Sequence, residues 1–283
     1  MNTSFADIEK KENRKDLIIS ICVFLSGFSC FAQLYYFQPL LPDLAKDFIL
    51  SASESSFAIS FSTLGMGFGL FTTMFVADRI PRKKMIGTGL LSSSIFSVAA
   101  SFSPTFLPLI LLSAAKGFLL SGATSVSMAY IAEEVSSRNK GKIMGLYIAG
   151  NALGGMAGRV ISSWIGALYT WRIASVSIGL ICALFAILFL LFSPRSTNFM
   201  PRKESFHTLI IANLQLITSK ALIPFYLTGG LILGVFIQLP GILSDQSTFQ
   251  FPGTLYPLYL FNVYIRYFRV DCDSRTHPVL HSF

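Results

Sequence analysis

One lysine lies in a strongly apolar part of the sequence, where a charged side chain is unusual. Lys116 lies inside a long apolar run, about ten residues from one end and about sixteen from the other. An ammonium group at that depth is costly unless it faces water, a partner or a ligand. We predict that Lys116 meets an anionic group or takes part in proton transfer. The alternatives are a polar pocket between helices and a tolerated change in an inactive chain.

Three neutral polar residues occur at depth in other apolar runs. Gln33 and Tyr36 are three residues apart and share one helix face, and Asn151 follows a glycine in a later run. We predict that these three and Lys116 line one polar substrate pathway, with hydrogen bonds between helices as the alternative. A further cation, Arg159, is expected to reach outward to water.

A short basic loop joins two of the apolar runs. It contains Asp78, Arg79, Arg82 and Lys83 within six residues. Such a cluster can simply mark one side of a membrane. A carboxylate beside cations can also form ion pairs or face a helix N-terminus, and so hold helix ends together.

The cysteines and histidines form no pattern of a catalytic or metal site. Cys22, Cys30, Cys182 and Cys272 are not at metal or redox spacing, and the three histidines lie outside the six clear apolar runs. The sequence contains no HExxH, P-loop or GxSxG pattern. We therefore predict no enzymatic activity, no metal and no cofactor.

The elements that carry these residues are dictated by composition. The 283 residues are 53% apolar and 13% charged, with a mean hydropathy of +0.62. A soluble domain carries about 25% charged residues. The apolar excess cannot be hidden in one core and must be solvated by lipid. A soluble enzyme, a nucleic-acid-binding domain and a disordered chain are therefore excluded.

Six apolar runs are each long enough to cross the membrane as a helix, which takes about 20 residues. They are Leu17–Leu40, Ser56–Ala77, Met85–Phe102, Leu107–Ala132, Lys142–Leu168 and Ile173–Phe192. A seventh run, Ala221–Leu243, is interrupted by two prolines. Runs of this length favour helices over a barrel. The predicted fold is all-α and integral to the membrane, with a six-helix N-terminal bundle and a partial seventh helix.

The basic residues are distributed unevenly between the two sides. Fifteen of the twenty-two lysines and arginines lie on one side: they precede the first run, lie in the second, fourth and sixth connections or, in the case of Lys142, begin the fifth run. Lys46 and Arg172 lie on the other side. The positive-inside rule places the N-terminus in the cytoplasm. The net charge of +8 then needs no nucleic-acid partner.

The basic loop resembles the signature G-x-x-x-D-R-x-G-R-[RK] of the major facilitator superfamily. Asp78, Arg79, Arg82 and Lys83 match it, while Met74 and Pro81 replace the two glycines. The resemblance implies that these four residues form a cytoplasmic gate. The stretch 113–117 also aligns with the family's fourth-helix pattern R-x-x-Q-G, with a serine at the arginine and Lys116 at the glutamine.

Four further stretches are similar to YnfM-type inner-membrane transporters. They are Gln38–Pro42, Ala129–Val135, the glycine-rich run Gly145–Arg159 and Trp171–Arg172. The resemblance covers about residues 15–235. It implies twelve helices in two halves around a midplane site. It also implies a secondary transporter of a small solute, with proton-coupled efflux as its mode and the lipid bilayer and protons as partners.

Glycines at helical spacing suit close helix packing. Gly150, Gly154 and Gly158 share one face of a helix, as do Gly65 and Gly69. The resemblance implies that both faces meet helices of a second half. We expect that half to be missing from this chain, with self-association as one way to replace it.

The predicted organisation has five parts. They are a cytoplasmic N-terminus (1–16), a six-helix bundle (17–192), a cytoplasmic linker (193–220), a seventh transmembrane helix (221–243) and an irregular tail (244–283). We interpret the tail as frameshifted sequence. A truncated, inactive transporter fragment is the main functional alternative, and a membrane-embedded enzyme or sensor is the alternative of another class.

Overall fold

The computed structural model describes residues 2–201, 218–219, 222–224 and 227–231, and every regular element in these ranges is helical. The helices of the first unit are α1 (Asn2–Tyr35), α2 (Leu41–Asp47), α3 (Ala52–Ser55), α4 (Phe57–Val76), α5 (Arg82–Ser101), α6 (Phe106–Glu134), α7 (Lys140–Leu168) and α8 (Trp171–Phe192). Short 3₁₀ turns occur at Gln38–Leu40 and Ala77–Arg79.

The chain divides into two compact units, residues 1–203 and 204–283. In the second unit, residues 223–224 and 227–231 are helical, and Thr228 donates a hydrogen bond to the Pro224 carbonyl. The rest of the predicted seventh helix, most of the predicted linker and the whole predicted tail lie outside the described residues.

Each of the six predicted spans coincides with a long helix, namely α1 and α4–α8. Four stretches are long and apolar enough to cross a membrane by length and composition: Glu12–Asp47, Ala52–Arg79, Phe106–Glu134 and Trp171–Phe192. Helices α5 and α7 are less apolar, because α5 carries a run of serines and α7 a run of glycines. The short helices α2 and α3 fall in a stretch predicted only as a connection.

Local sequence explains where several helices begin. Pro42 lies in the first turn of α2, where its missing N–H has no partner to lose. Ser51 and Glu54 form a reciprocal capping box at the start of α3. The Thr170 hydroxyl accepts a hydrogen bond from the Ile173 backbone N–H and so caps α8.

The long helices pack as a bundle in which α6 lies against both α4 and α5, and α1 lies against both α7 and α8. We call the end that carries Lys15, Arg82 and Lys83 the basic end, and the end that carries Asp47 and Arg172 the opposite end. One apolar cluster fills the bundle toward each of these ends.

The glycine faces lie inside this bundle, which corrects the prediction that they meet a second half. A side chain added at Gly150 or Gly154 would overlap the α1 backbone at Phe24 or Phe28. Gly158 similarly lies against Ala32, and Gly65 and Gly69 lie against α6. The spacing identified the close-packing faces correctly but could not identify the helices that occupy them.

Candidate functional site

Arg82 is the centre of an ion-pair network at the basic end. Its Nη2 atom lies 2.9 Å from Asp78 Oδ1 and 3.0 Å from Glu133 Oε1. Its Nη1 atom donates to the Ala77 carbonyl at 2.6 Å, and the ring of Phe199 lies 4.9 Å from its guanidinium carbon. One guanidinium therefore joins the α4–α5 loop, the end of α6 and the segment after α8.

The sequence of the α4–α5 loop places Arg82 at this point. Pro81 has φ −53° and ψ 131°, so the turn is extended, and Arg82 begins α5 directly after it. The loop thus accepts proline where the family pattern has glycine. Partial burial lowers the pKa of Arg82, but its hydrogen bonds to Glu133 and Asp78 outweigh that effect and hold the pKa above its ordinary value.

Glu134 is the second anchor of the basic end. Its carboxylate lies 2.8 Å from Lys15 Nζ at the start of the apolar part of α1. It also accepts hydrogen bonds from the Thr197 hydroxyl at 2.9 Å and from the Asn198 backbone N–H at 2.8 Å. The segment after α8 is therefore fastened to the end of α6 by two hydrogen bonds to one carboxylate.

Hydrogen bonds of two further residues, Asp16 and Lys83, complete the basic end. The Asp16 carboxylate accepts hydrogen bonds from Ser136 Oγ at 2.6 Å and Asn139 Nδ2 at 2.8 Å, which tie α1 to the α6–α7 connection. Lys83 donates its backbone N–H to Ser196 Oγ at 3.0 Å and its ammonium to the Ser193 carbonyl.

The structure thus brings together three of the four predicted gate residues. Asp78 and Arg82 pair directly, and Lys83 binds the segment after α8. Arg79 is exposed and has no hydrogen bond or ion pair with any described residue. Sequence reasoning did not assign Glu133, Glu134 or the segment after α8 to this site.

Lys116 is buried in the middle of the bundle, with 1% of its surface exposed. Its Nζ atom lies 4.5 Å from the ring centroid of Tyr36 and 4.8 Å from that of Phe37. Among the residues that the structure describes, Nζ has no hydrogen-bond partner. Two aromatic faces therefore provide its stabilisation as a cation, which leaves three N–H donors unused.

The other predicted pathway residues are engaged between helices. Gln33 donates to Ser94 Oγ at 3.2 Å and accepts from Ser97 Oγ at 3.1 Å, both on α5. Tyr36 Oη lies 2.9 Å from Ser175 Oγ on α8. Both residues make the interhelical hydrogen bonds that were the alternative use, and their role in a pathway stays a prediction.

Asn151 and Arg159 lie on α7 beside α1. The amide oxygen of Asn151 lies over Gly27, a position where any side chain would collide with it. Arg159 does not reach outward as expected but is 1% exposed. Its Nε atom donates to Gln38 Oε1 at 2.6 Å, and its guanidinium carbon lies 4.5 Å from the Tyr35 ring centroid. Aromatic and amide groups at the end of α1 hold this cation inside.

An ion pair also lies at the opposite end of the bundle. Arg172 Nη2 lies 2.8 Å from Asp47 Oδ2, and the Trp171 indole N–H donates to the same oxygen at 2.9 Å. Arg172 Nη1 also donates to the carbonyls of Ser101 and Ser103. The sequence placed Arg172 on this side but showed no spacing that would pair it with a residue 125 positions away.

The comparison with protein families finds one matching model over most of the chain. The model described as Major Facilitator Superfamily matches residues 20–266. Among curated relatives, the inner membrane transport protein YnfM of Escherichia coli K12 is 35% identical over 222 residues, covering 78% of this chain and 53% of that protein. A protein of Buchnera aphidicola subsp. Schizaphis graminum, named as an uncharacterized transporter, is 35% identical over 237 residues. The alignment covers 84% of this chain and 57% of that protein.

Solved structures show the same fold. A D-xylose–proton symporter aligns with a TM-score of 0.61 at 16% identity, covering 88% of this chain and 65% of that one. A peptide transporter crystallised with sulfate aligns with a TM-score of 0.58 at 14% identity, covering 81% and 50%. This chain spans just over half the length of the two curated relatives named above.

Proposed function

Because the chain belongs to the major facilitator superfamily, we propose that it acts as a secondary transporter of a small solute in the bacterial inner membrane. The bundle is a multi-pass membrane protein, and its basic end gathers cations from four segments of the first unit. The positive-inside rule supports a cytoplasmic basic end and a cytoplasmic N-terminus.

The Arg82 network carries this proposal. Arg82 bonds at once to its own loop and to the end of α6, and the neighbouring Glu134 bonds to α1 and to the segment after α8. These contacts hold four parts of the cytoplasmic end together. In the proposed cycle they keep that side closed, and their rupture accompanies opening.

Lys116 supports the finer proposal of an anionic or proton-coupled solute. It has unused donors in the middle of the bundle, and the six spans contain no carboxylate that could neutralise it. A solute carboxylate would satisfy the ammonium, and loss of its proton would release the solute. Efflux driven by proton entry is the mode that we propose.

The test uses the full chain in two assays. In detergent, a panel of carboxylate, neutral and cationic solutes is screened for a rise in unfolding temperature, since a ligand that binds only the folded state stabilises it. The stabilising solutes are then tested in proteoliposomes that contain a pH-sensitive dye. We expect a carboxylate solute to stabilise the wild type and to cross the membrane in exchange for protons that move in the opposite direction.

Three outcomes decide between the proposal and its alternatives. Stabilisation without any solute flux or proton movement would refute transport by this chain and favour the inactive alternative. Flux that appears only in a cross-linked dimer would show that two copies form the transporter. Stabilisation by neutral or cationic solutes alone would refute the role given to Lys116.

A further inference from the structure

A lateral groove opens between α4 and α5 toward the basic end of the bundle. Both helices pack on α6, which forms the floor of the groove at Phe118 and Gly122. The walls are the last turn of α4, at Thr72 and Val76, and the first turns of α5, near Met85. The cavity has a volume of about 340 Å³, the space of roughly ten water molecules.

The lining of this groove suits an apolar occupant. The threonine hydroxyls in the walls already donate to backbone carbonyls of their own helices, Thr72 to Gly69 at 2.8 Å and Thr88 to Lys84 at 2.8 Å. Their methyl groups and the side chains of Met85 and Phe118 remain to contact a ligand. The groove therefore offers shape and apolar surface but few free hydrogen-bond donors.

Two exposed cations lie within a few residues of the groove lining, at the basic ends of its two walls. Lys84 lies one helical turn before Thr88, and Arg79 lies three residues after Val76. Neither side chain has a hydrogen bond or ion pair with any residue in the described part of the chain. Their charge is available to an anion placed at the membrane surface, where each nearby lysine or arginine attracts an anionic lipid by about 1 kcal/mol.

From this arrangement we infer that the groove binds one anionic glycerophospholipid from the leaflet at the basic end. The phosphate lies between Arg79 and Lys84, and an acyl chain lies along Phe118 and Gly122. A free phosphate would lack the apolar contacts, and a zwitterionic lipid would lack the charge complement. Binding requires the membrane placement of the bundle but does not depend on its transporting a solute.

The lipid would also lie beside the ion-pair network. Arg79 directly follows Asp78, and Lys84 lies two residues after Arg82. A phosphate at the mouth would therefore hold the loop that carries both partners of the Asp78–Arg82 pair. This arrangement makes the state of the basic end sensitive to the lipid composition of its leaflet.

The test measures lipid retention by the detergent-purified full chain. Equal amounts of phosphatidylglycerol and phosphatidylcholine are added, and the bound lipids are counted by native mass spectrometry. We expect one phosphatidylglycerol to be retained in preference. The double substitution Arg79→Gln/Lys84→Gln should weaken its retention by about thirtyfold, while Lys140→Gln/Lys142→Gln, with the same change in charge, should not.

The groove itself is tested with two glycine substitutions. A side chain at Gly122 would enter the groove, since its Cβ would meet only Met85, at 3.6 Å. Gly122→Leu should therefore lower lipid retention by about tenfold. Gly67→Leu is the matched control, because a Cβ at Gly67 has nothing within 4 Å.

Several results would overturn the inference. They are equal retention of the two lipids, equal losses in the charge controls, or unchanged retention in the Gly122→Leu variant. Glycerol 1-phosphate competing as well as the whole lipid would reduce the site to a phosphate site. Absence of solute flux would bear only on the proposed function and leave the lipid result intact.

Discussion

Replacing Arg82 with glutamine would test the central contact of the basic end. The change removes the cation that bonds to Asp78 and Glu133, and it leaves both carboxylates without that partner. The Arg82 side chain is 9% exposed, but Glu133 is 26% and Asp78 43% exposed. Water can therefore solvate the carboxylates in part.

These exposures set the expected magnitude. Breaking a fully buried ion pair costs about 3–5 kcal/mol, whereas an exposed pair is worth about 0–1 kcal/mol. The half-exposed carboxylates place Arg82→Gln between these limits, at about 1–2 kcal/mol of unfolding free energy. Arg79→Gln, which removes an exposed neighbouring cation, should change the free energy by less than about 0.5 kcal/mol.

The assay is unfolding of the full chain by sodium dodecyl sulfate in mixed micelles, followed by circular dichroism. A double-mutant cycle with Glu133→Gln isolates the coupling of the pair. We expect a coupling of about 1 kcal/mol that falls as salt is added. Equal destabilisation by Arg82→Gln and Arg79→Gln, or a coupling near zero, would refute the role of Arg82 as the centre of the network.

The remaining predictions concern the interior and the opposite end. Lys116→Met should raise the unfolding free energy by about 1–3 kcal/mol, because it removes a buried ammonium that has no hydrogen-bond partner among the described residues. The same substitution should abolish any solute-dependent rise in unfolding temperature, and an unchanged rise would contradict the role of Lys116. Gly154→Leu should destabilise by about 3 kcal/mol or more in the same unfolding titration, whereas Gly145→Leu, in open space, should not. Asp47→Asn should lower the unfolding free energy by only about 0.2–1 kcal/mol, since the side chains of Arg172 and Asp47 are both about 40% exposed. A larger loss would contradict this exposure of the ion pair.

The sequence predicted the bundle well because apolar length is a local property. The predicted span Leu107–Ala132 and helix α6 differ by no more than two residues at either end. The two short helices in the Pro42–Ser55 connection were not predicted, since α2 and α3 are too short to show a helical period in the sequence. The capping box of α3, Ser51 and Glu54, was not identified from the sequence.

The site was predictable only as far as its charges lay close together in the chain. Asp78 and Arg82 are four residues apart and their pairing follows from that spacing, whereas Glu133 is 51 positions from Arg82. The depth of Lys116 was readable from its run. The direction of its side chain toward Tyr36 depends on how α1 packs against α6, which no local pattern records.

The contacts of the segment after α8 have a mechanical consequence. Thr197 and Asn198 hold the carboxylate of Glu134, and Phe199 covers Arg82. A pull on the polypeptide beyond α8 would load these bonds before it loaded any apolar contact of the helices. Tension in this segment would therefore reach the basic end directly, and a short insertion after residue 199 would relieve it.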